Sequence, residues 1–263
     1  MRKPCQTGPI GPGWSMFRGM VTRSRQPGYY ELPPGRSLGS RYEVVEFLGC
    51  GWEGEVYKVV EVRTGIERAA KLFYPQRNPR GRALLRYAKK LTKLRHVPII
   101  IQYHHQDTTK VHGEVVEFLV SEYVPGELLS AFQRHQPGKR MKSFEALHVL
   151  HTLAAGIAPI HLAGEYHGDL HTDNVVIRRR GIGFEVKLMD FLDLGRPSRE
   201  KIRDDVIDLV NILHEIIGGR AWYSKSGPEI KQIVCGQKRS LILKKFRTAA
   251  DLAQALLNLD WSR

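Results

Sequence analysis

At Pro125-Gly126-Glu127 the spacing of apolar residues changes from a period near two to one near 3.6. A chain that changes period once must build a sheet from its front part and a helical layer from its back part. Before the break, RYEVVEFLG, GEVYKVVEV and ERAAKLFY are short segments rich in β-branched residues, separated by glycine or by Arg63-Thr64-Gly65, which is the pattern of an antiparallel meander beginning near Arg41. GRALLRYAKKLTKLRH then carries Leu84, Tyr87, Ala88, Leu91 and Leu94 at helical spacing, closed by Pro98. Two more strands are predicted in VPIIIQYHH and GEVVEFLVSEYV. After the break, SFEALHVLHTLAAGIAPIHLAG predicts a helix capped by Ser143 and kinked at Pro159, with Leu147, Leu150, Ala154 and Ile157 on one face. DDVIDLVNILHEIIGG carries Val206, Leu209, Val210, Leu213, Ile216 and Ile217 as one stripe and stops at Gly218-Gly219. TAADLAQALLNL opens with a capping-box pair, Thr248 and Asp251. The expected class is α+β, and there are no internal repeats.

With 263 residues, 42% of them hydrophobic, the chain is long enough to bury a core or two modest ones. Its formal charge of +14 favours anionic partners such as phosphates, nucleic acid or acidic lipid, without choosing among them. Residues 1–40, dense in Gly, Pro and Arg and without either period, are expected to form a flexible basic extension. Three cysteines, Cys5, Cys50 and Cys235, are an odd number with no close pair and suit neither a disulfide framework nor a zinc site. No run is long and apolar enough for a membrane helix and no signal-peptide core is present, so a cytoplasmic location is expected.

Four motifs could carry chemistry. Gly49, Gly51 and Gly54 have G-x-G-x-x-G spacing and precede Val56, but they lie between two strands, which excludes a Rossmann turn. Either a tight hairpin or a flap whose backbone approaches phosphate oxygens meets that description. Lys71 sits in the apolar RAAKLFY, as an edge-strand lysine or as a phosphate ligand. HGDLHTDN offers Asp169, a candidate proton acceptor, and Asn174 five positions later; VKLMDF offers Asp190. Asn174 and Asp190 bring the oxygen donors that Mg²⁺ prefers, although Asp and Asn are also ordinary turn residues.

The order of these motifs, with 98 residues from Lys71 to Asp169 and 21 from Asp169 to Asp190, resembles that of the protein kinase-like superfamily over residues 41–260. The loop resembles in particular that of an atypical bacterial-type serine/threonine kinase related to aminoglycoside and choline phosphotransferases. The resemblance implies a bilobal protein kinase-like fold, with a β-rich N-lobe (41–124) and an α-helical C-lobe (125–263), binding ATP and Mg²⁺. By the same resemblance Gly49, Gly51, Gly54 and Val56 cover the nucleotide, Lys71 holds its α- and β-phosphates, Asp169 is the base, and Asn174 and Asp190 hold metal. FLVSEYVPGE resembles the interlobe hinge, with Ser121 at the gatekeeper position and Glu122, Val124 and Glu127 beside the adenine. Asp205 falls where the family braces its catalytic loop.

Three departures stand out. No acid occurs from Arg68 through Gln106, so the helix glutamate that pairs with the strand lysine is missing and Tyr87 occupies its place. The Tyr87 hydroxyl, or Glu53 or Glu55 from the flap, is expected to substitute. Asp190-Phe191-Leu192 replaces D-F-G, and only fifteen positions lead on to Asp205, too few for an activation loop and an A-P-E segment. Gly168 and His171 replace the arginine and lysine of H-R-D-L-K; His171 either touches the γ-phosphate or is structural. The basic helix over 80–95 is either a solvated face or a dock for an acidic partner. The expected activity is a minimal serine/threonine protein kinase. A kinase of small-molecule alcohols and a pseudokinase scaffold are the alternatives.

Overall fold

The structure, a computed structural model, describes residues 30–191 and 195–260. These residues form two compact units, one built from residues up to 93 and 102–124, the other from residues 94–101 and those from 125 onward.

The first unit is a six-stranded antiparallel sheet with one helix. It comprises β1 (Ser37–Leu38), β2 (Tyr42–Cys50), β3 (Gly54–Glu61), β4 (Glu67–Phe73), α1 (Arg82–Lys93), β5 (Tyr103–Val111) and β6 (Glu114–Glu122), in the sheet order β1-β2-β3-β4-β6-β5. Alternation gives the sheet a buried face of Tyr42, Val44, Tyr57, Val59, Ala70, Leu72, Val116, Phe118 and Val120. Tyr30, Leu32 and Leu38 cover this face, so the packed chain reaches back to Tyr30 rather than starting at Arg41. The reason is polar as well as apolar. Glu55, fully buried in β3, accepts from the Tyr30 N–H at 2.9 Å and from the Tyr57 and Tyr74 hydroxyls. Residues 1–29 of the expected extension lie outside the described residues.

Helix α1 forms where expected, burying Leu84, Tyr87, Ala88 and Leu91 at i, i+3, i+4 and i+7. The Asn78 carboxamide oxygen accepts from the N–H groups of Ala83 and Leu84 at 3.0 and 3.1 Å and satisfies its first turn. His112 and Gly113, both at positive φ, make the two-residue turn joining β5 to β6. The strand expected in VPIIIQYHH forms only from Tyr103 onward. Its apolar first half belongs to the second unit: Ile100 bridges Leu188 in parallel, and the Leu188 N–H donates to Ile99 O at 2.7 Å. Cys50 is disulfide-bonded, contrary to the reading from the odd count, whereas Cys235 is a free thiol.

In the second unit β7 (Glu127–Leu128), α2 (Leu129–His135) and α3 (Ser143–Leu162) are followed by β8 (Val175–Arg180) and β9 (Gly183–Leu188), then by α4 (Arg199–Ile216), α5 (Arg220–Tyr223), α6 (Pro228–Val234), α7 (Arg239–Lys245) and α8 (Ala249–Leu257). Strands β7, β8 and β9 form a small antiparallel sheet. Helix α3 is central. It buries Ala146, Val149 and Leu153 as well as the expected Leu147, Leu150, Ala154 and Ile157, and it packs on α4 and α8. A Cβ on its Gly156 would come within 2.3 Å of Ile99 Cδ1, so the close approach of the Ile99 segment requires glycine there. Ser143 is its first residue and makes no cap hydrogen bond; the helix runs through Pro159 to Leu162. Helix α4 starts before the expected segment, capped by Ser198 Oγ on the Lys201 N–H, and stops at Gly218 and Gly219, both at positive φ. The capping box of α8 is present. Among the described residues, no helix is long and apolar enough to cross a membrane.

Candidate active site

The expected site residues fall on both units. In the first, two bulges in β2, between Val44 and Glu46 and between Phe47 and Gly49, bring Gly49 opposite Val56. Val56 in turn pairs with Lys71, and Lys71 with Leu119, so Gly49, Val56 and Lys71 lie in one cross-strand row. Directly opposed residues share a face, and Lys71 therefore lies opposite the face that buries Ala70 and Leu72. Its side chain is only 10% exposed. Nζ donates to Glu53 Oε2 at 2.8 Å and stands 5.1 Å from the Tyr87 ring centroid and 5.4 Å from that of Phe73. A cation is tolerated at this depth because a carboxylate pairs with it and aromatic faces surround it.

The hairpin carrying Glu53 is anchored twice more. Glu53 O accepts from the Tyr74 N–H at 2.8 Å, and the Arg77 guanidinium lies 3.1 Å from the Trp52 ring centroid. The three glycines differ. A Cβ on Gly54 would stand 1.9 Å from Leu72 O, so β3 and β4 themselves require glycine there. At Gly49 and Gly51 no atom lies within 4 Å of such a Cβ, and the Gly51 N–H closes the turn on Gly54 O at 2.9 Å. At the end of β6, Ser121 is buried and its Oγ donates to the Glu122 carbonyl at 3.4 Å, while the Glu122 N–H donates to Gln102 O at 2.9 Å. Val124, half-buried, ends the unit.

In the second unit Glu127 pairs with Ile177 across β7 and β8, and its carboxylate meets His135 Nδ1 at 2.8 Å. The loop from His167 to Asn174 is held from below by Asp205 of α4. Oδ2 of this fully buried carboxylate accepts from the His167 N–H at 2.7 Å, and Oδ1 from the Gly168 N–H at 2.9 Å. His161 Nε2 lies 3.1 Å from Oδ2. Because the Ala249 N–H donates to His161 Nδ1, the imidazole proton sits on Nε2 and points at Asp205. Gly168 has φ 87, open to glycine at little cost.

The same logic orients His167. The Asp169 N–H donates to its Nδ1 at 3.3 Å, so Nε2 donates to Met189 O at 3.1 Å, and its ring packs 4.2 Å from that of Phe191. Asn174 Nδ2 donates to Asp169 O at 2.8 Å and to Asp169 Oδ2 at 3.3 Å, while the Met189 N–H donates to Asn174 O. Asp169, Asn174 and the residue before Asp190 are thus one hydrogen-bonded system. Asp190 itself has φ 56, a conformation that costs an aspartate energy and that clusters at functional sites.

His171 Nδ1 accepts from the Asp173 N–H, and Nε2 faces Asp169 Oδ2 at 3.5 Å. The His171 imidazole holds the Asp169 carboxyl below the usual carboxylate range, against burial, which pushes it up; His167 and Asn174 add to the lowering. Loop and scaffold are joined again by Thr172 Oγ1 donating to Glu215 Oε1 at 2.8 Å and by Ser130 donating to Asp173. One acid was not anticipated. Asp208, one turn beyond Asp205, has its carboxyl pushed up to about 6 by burial and by the charges of Asp205, Asp204 and Asp169.

Residues 42–208, more than half of the chain, match the protein kinase domain family. The chain belongs to that family. Among curated relatives it is 32% identical over 162 residues to serine/threonine-protein kinase pkn2 of Myxococcus xanthus, covering 60% of this chain and 19% of that protein. It is 27% identical over 160 residues to the serine/threonine-protein kinase PknA of Mycobacterium tuberculosis, covering 60% and 36%. The chain therefore spans well under two thirds of these relatives' own length. The crystal structure of a double mutant of the PknI kinase domain of Mycobacterium tuberculosis matches with a TM-score of 0.64 at 22% identity, covering 86% of this chain and 98% of that one, a likeness of fold.

The protein kinase fold explains why a β-rich unit and a helical unit share this chain, and the departures now have locations. Of the three groups expected to replace the missing helix acid, Glu53 forms the ion pair with Lys71, and Tyr87 contributes its ring. Glu55 is engaged by tyrosines in the buried core. Leu192 of the Asp-Phe-Leu triplet lies outside the described residues. The bracing of His161 by Ala249, 88 positions away, carried no sequence signal.

Proposed function

We propose that this chain transfers the γ-phosphoryl group of ATP, with Mg²⁺, to a serine or threonine hydroxyl of a protein. The observation that carries the reading is the state of Asp169: a half-exposed carboxylate, kept ionised by His171 and held by Asn174, on a loop fixed by the buried Asp205. An ionised acceptor placed this way can take the proton of an attacking hydroxyl as its oxygen bonds to phosphorus and the bond to the leaving ADP breaks. The names of the curated relatives support serine or threonine as the acceptor.

The donor set suits Mg²⁺. Asp190 offers a carboxylate and Asn174 a carboxamide oxygen whose NH₂ end already faces Asp169, both hard oxygen ligands. Among the described residues no group of three or more His, Cys, Asp or Glu forms a cage, in keeping with an ion completed by phosphate and water. Bound there, Mg²⁺ would neutralise phosphate charge. In this reading Lys71 holds the α- and β-phosphates. Gly49, Gly51, Gly54 and Val56 lie over the nucleotide, with Gly51 contributing through the lack of a side chain. Glu122, Val124 and Glu127 border the base. ATP supply makes the cytoplasm the compartment this reading requires. The short interval from Asp190 to Asp205 leaves no room for a long docking segment, so the protein acceptor is recognised by other surfaces.

Radiolabelled ATP with the wild type and with Asp169→Ala tests the proposal. Autophosphorylation or transfer to a generic protein acceptor, lost in the variant, is expected. Transfer confined to added aminoglycoside, choline or sugar would assign a small-molecule kinase instead. Nucleotide binding without transfer would assign a scaffold.

A further inference from the structure

The lysine row and the flap together identify a residue that the family pattern does not supply. We infer that Glu53, in the turn between β2 and β3, is the positioning residue for Lys71, taking the part that an acid on the following helix would otherwise play. The inference rests on the nucleotide reading above.

Helix α1 has no acid to offer, and the side chain it presents to Lys71 is the ring of Tyr87, 5.1 Å from Nζ. A ring face attracts a cation but does not fix its direction, whereas a carboxylate at 2.8 Å does. Glu53 is well placed to be that carboxylate because its backbone is not free to wander. The Glu53 carbonyl accepts from Tyr74, three residues beyond Lys71. Gly54, next in sequence, lies so close to Leu72 O that only glycine fits, which locks the start of β3 on β4. Trp52, on the other side, is exposed and carries the Arg77 guanidinium against its ring. Anchors on both sides of Glu53 therefore tie the turn to the segment that follows Lys71. Glu55, the other acid nearby, is spoken for by Tyr30, Tyr57 and Tyr74.

The arrangement has a mechanical consequence. Where the acid rides on a helix, the lysine is oriented by the helix position. Here the Glu53–Lys71 ion pair ties the flap to the lysine, so the position of the flap helps to aim Lys71.

The test compares Glu53→Gln, Glu53→Asp and the double variant Glu53→Gln with Tyr87→Glu, which returns an acid to α1. Two readouts are taken: kcat and KM for ATP in phosphoryl transfer, and the rate at which an amine-reactive ester labels Lys71, followed by mass spectrometry. Glu53→Gln is expected to lower kcat about 10- to 100-fold, as a misplaced catalytic group does, and to raise Lys71 labelling several-fold. Glu53→Asp should retain more activity than Glu53→Gln, and the double variant should recover at least part of the loss. Unchanged kcat, KM and labelling in Glu53→Gln would overturn the inference. A raised kcat would also overturn it, because the ion pair would then hold the lysine away from its task. Should the double variant not fold, the order of the Asp and Gln variants decides. If the wild type transfers no phosphate, the enzymatic reading fails on its own, and Lys71 labelling in Glu53→Gln still decides the role of Glu53.

Discussion

Asp208 shows how one side chain reports on its neighbours. Its carboxyl is raised to about 6, first by burial and then by three nearby aspartates, so the folded state favours the protonated form. Stability from this group is fully present below the usual carboxylate pKa and is lost as pH rises through about 6. Asp208→Asn is therefore expected to stabilise the protein at pH 8, by about 1 kcal/mol once solvent screening of a partly exposed group is allowed for, and to have no benefit at pH 4. Urea midpoints at the two pH values check this; an equal effect at both would refute it. Asp169 runs the other way. Its lowered carboxyl contributes stability above the usual range that is lost as pH falls through the folded value.

At the level of elements, the β2–β3 hairpin separates glycines that the fold needs from those it does not. Gly54→Ala places a methyl 1.9 Å from a backbone oxygen of β4, which cannot swing aside. The expected cost is about 2 kcal/mol or more. Gly51→Ala meets no atom within 4 Å, so its stability should stay near wild type while, in the nucleotide reading, KM for ATP rises. Urea unfolding and ATP kinetics on the two variants distinguish them. Helix α4 plays the complementary part in the second unit. Through Asp205 it satisfies two loop N–H groups, and His161 connects that carboxylate to the first turn of α8. One buried acid thus coordinates α3, α4, α8 and the Asp169 loop.

On the scale of the whole molecule, each unit has its own core, and the first extends further back than its β-pattern. A chain beginning at Arg41 would uncover Val44, Tyr57 and Val59 and remove the Tyr30 N–H from buried Glu55. The Glu55 carboxylate keeps the Tyr57 and Tyr74 hydroxyls, so the expected loss is about 1 kcal/mol for the hydrogen bond plus the burial of the uncovered apolar side chains. Comparing thermal unfolding of chains beginning at Tyr30 and at Arg41 measures it. Much of the fold was legible from local rules: three strands of the meander, α1, the stripe of α4 and the capping box of α8 each follow from period, glycine and cap chemistry within a dozen residues. So was the order of Gly49, Lys71, Asp169, Asn174 and Asp190. Other features were not, because they depend on residues far apart in sequence. VPIIIQ reads as strand, but its isoleucines pair with β9 and press on Gly156. Tyr30 reads as part of a loose tail, yet a buried carboxylate 25 positions away holds it. The choice of Glu53 over Glu55 for Lys71 is of the same kind. Sequence alone determined which acids stand in the flap, since composition and spacing are local. Only the tertiary structure decided which one turns to the lysine, because alternation along β3 sends Glu55 into the tyrosine core, while the turn before it leaves Glu53 beside the ammonium.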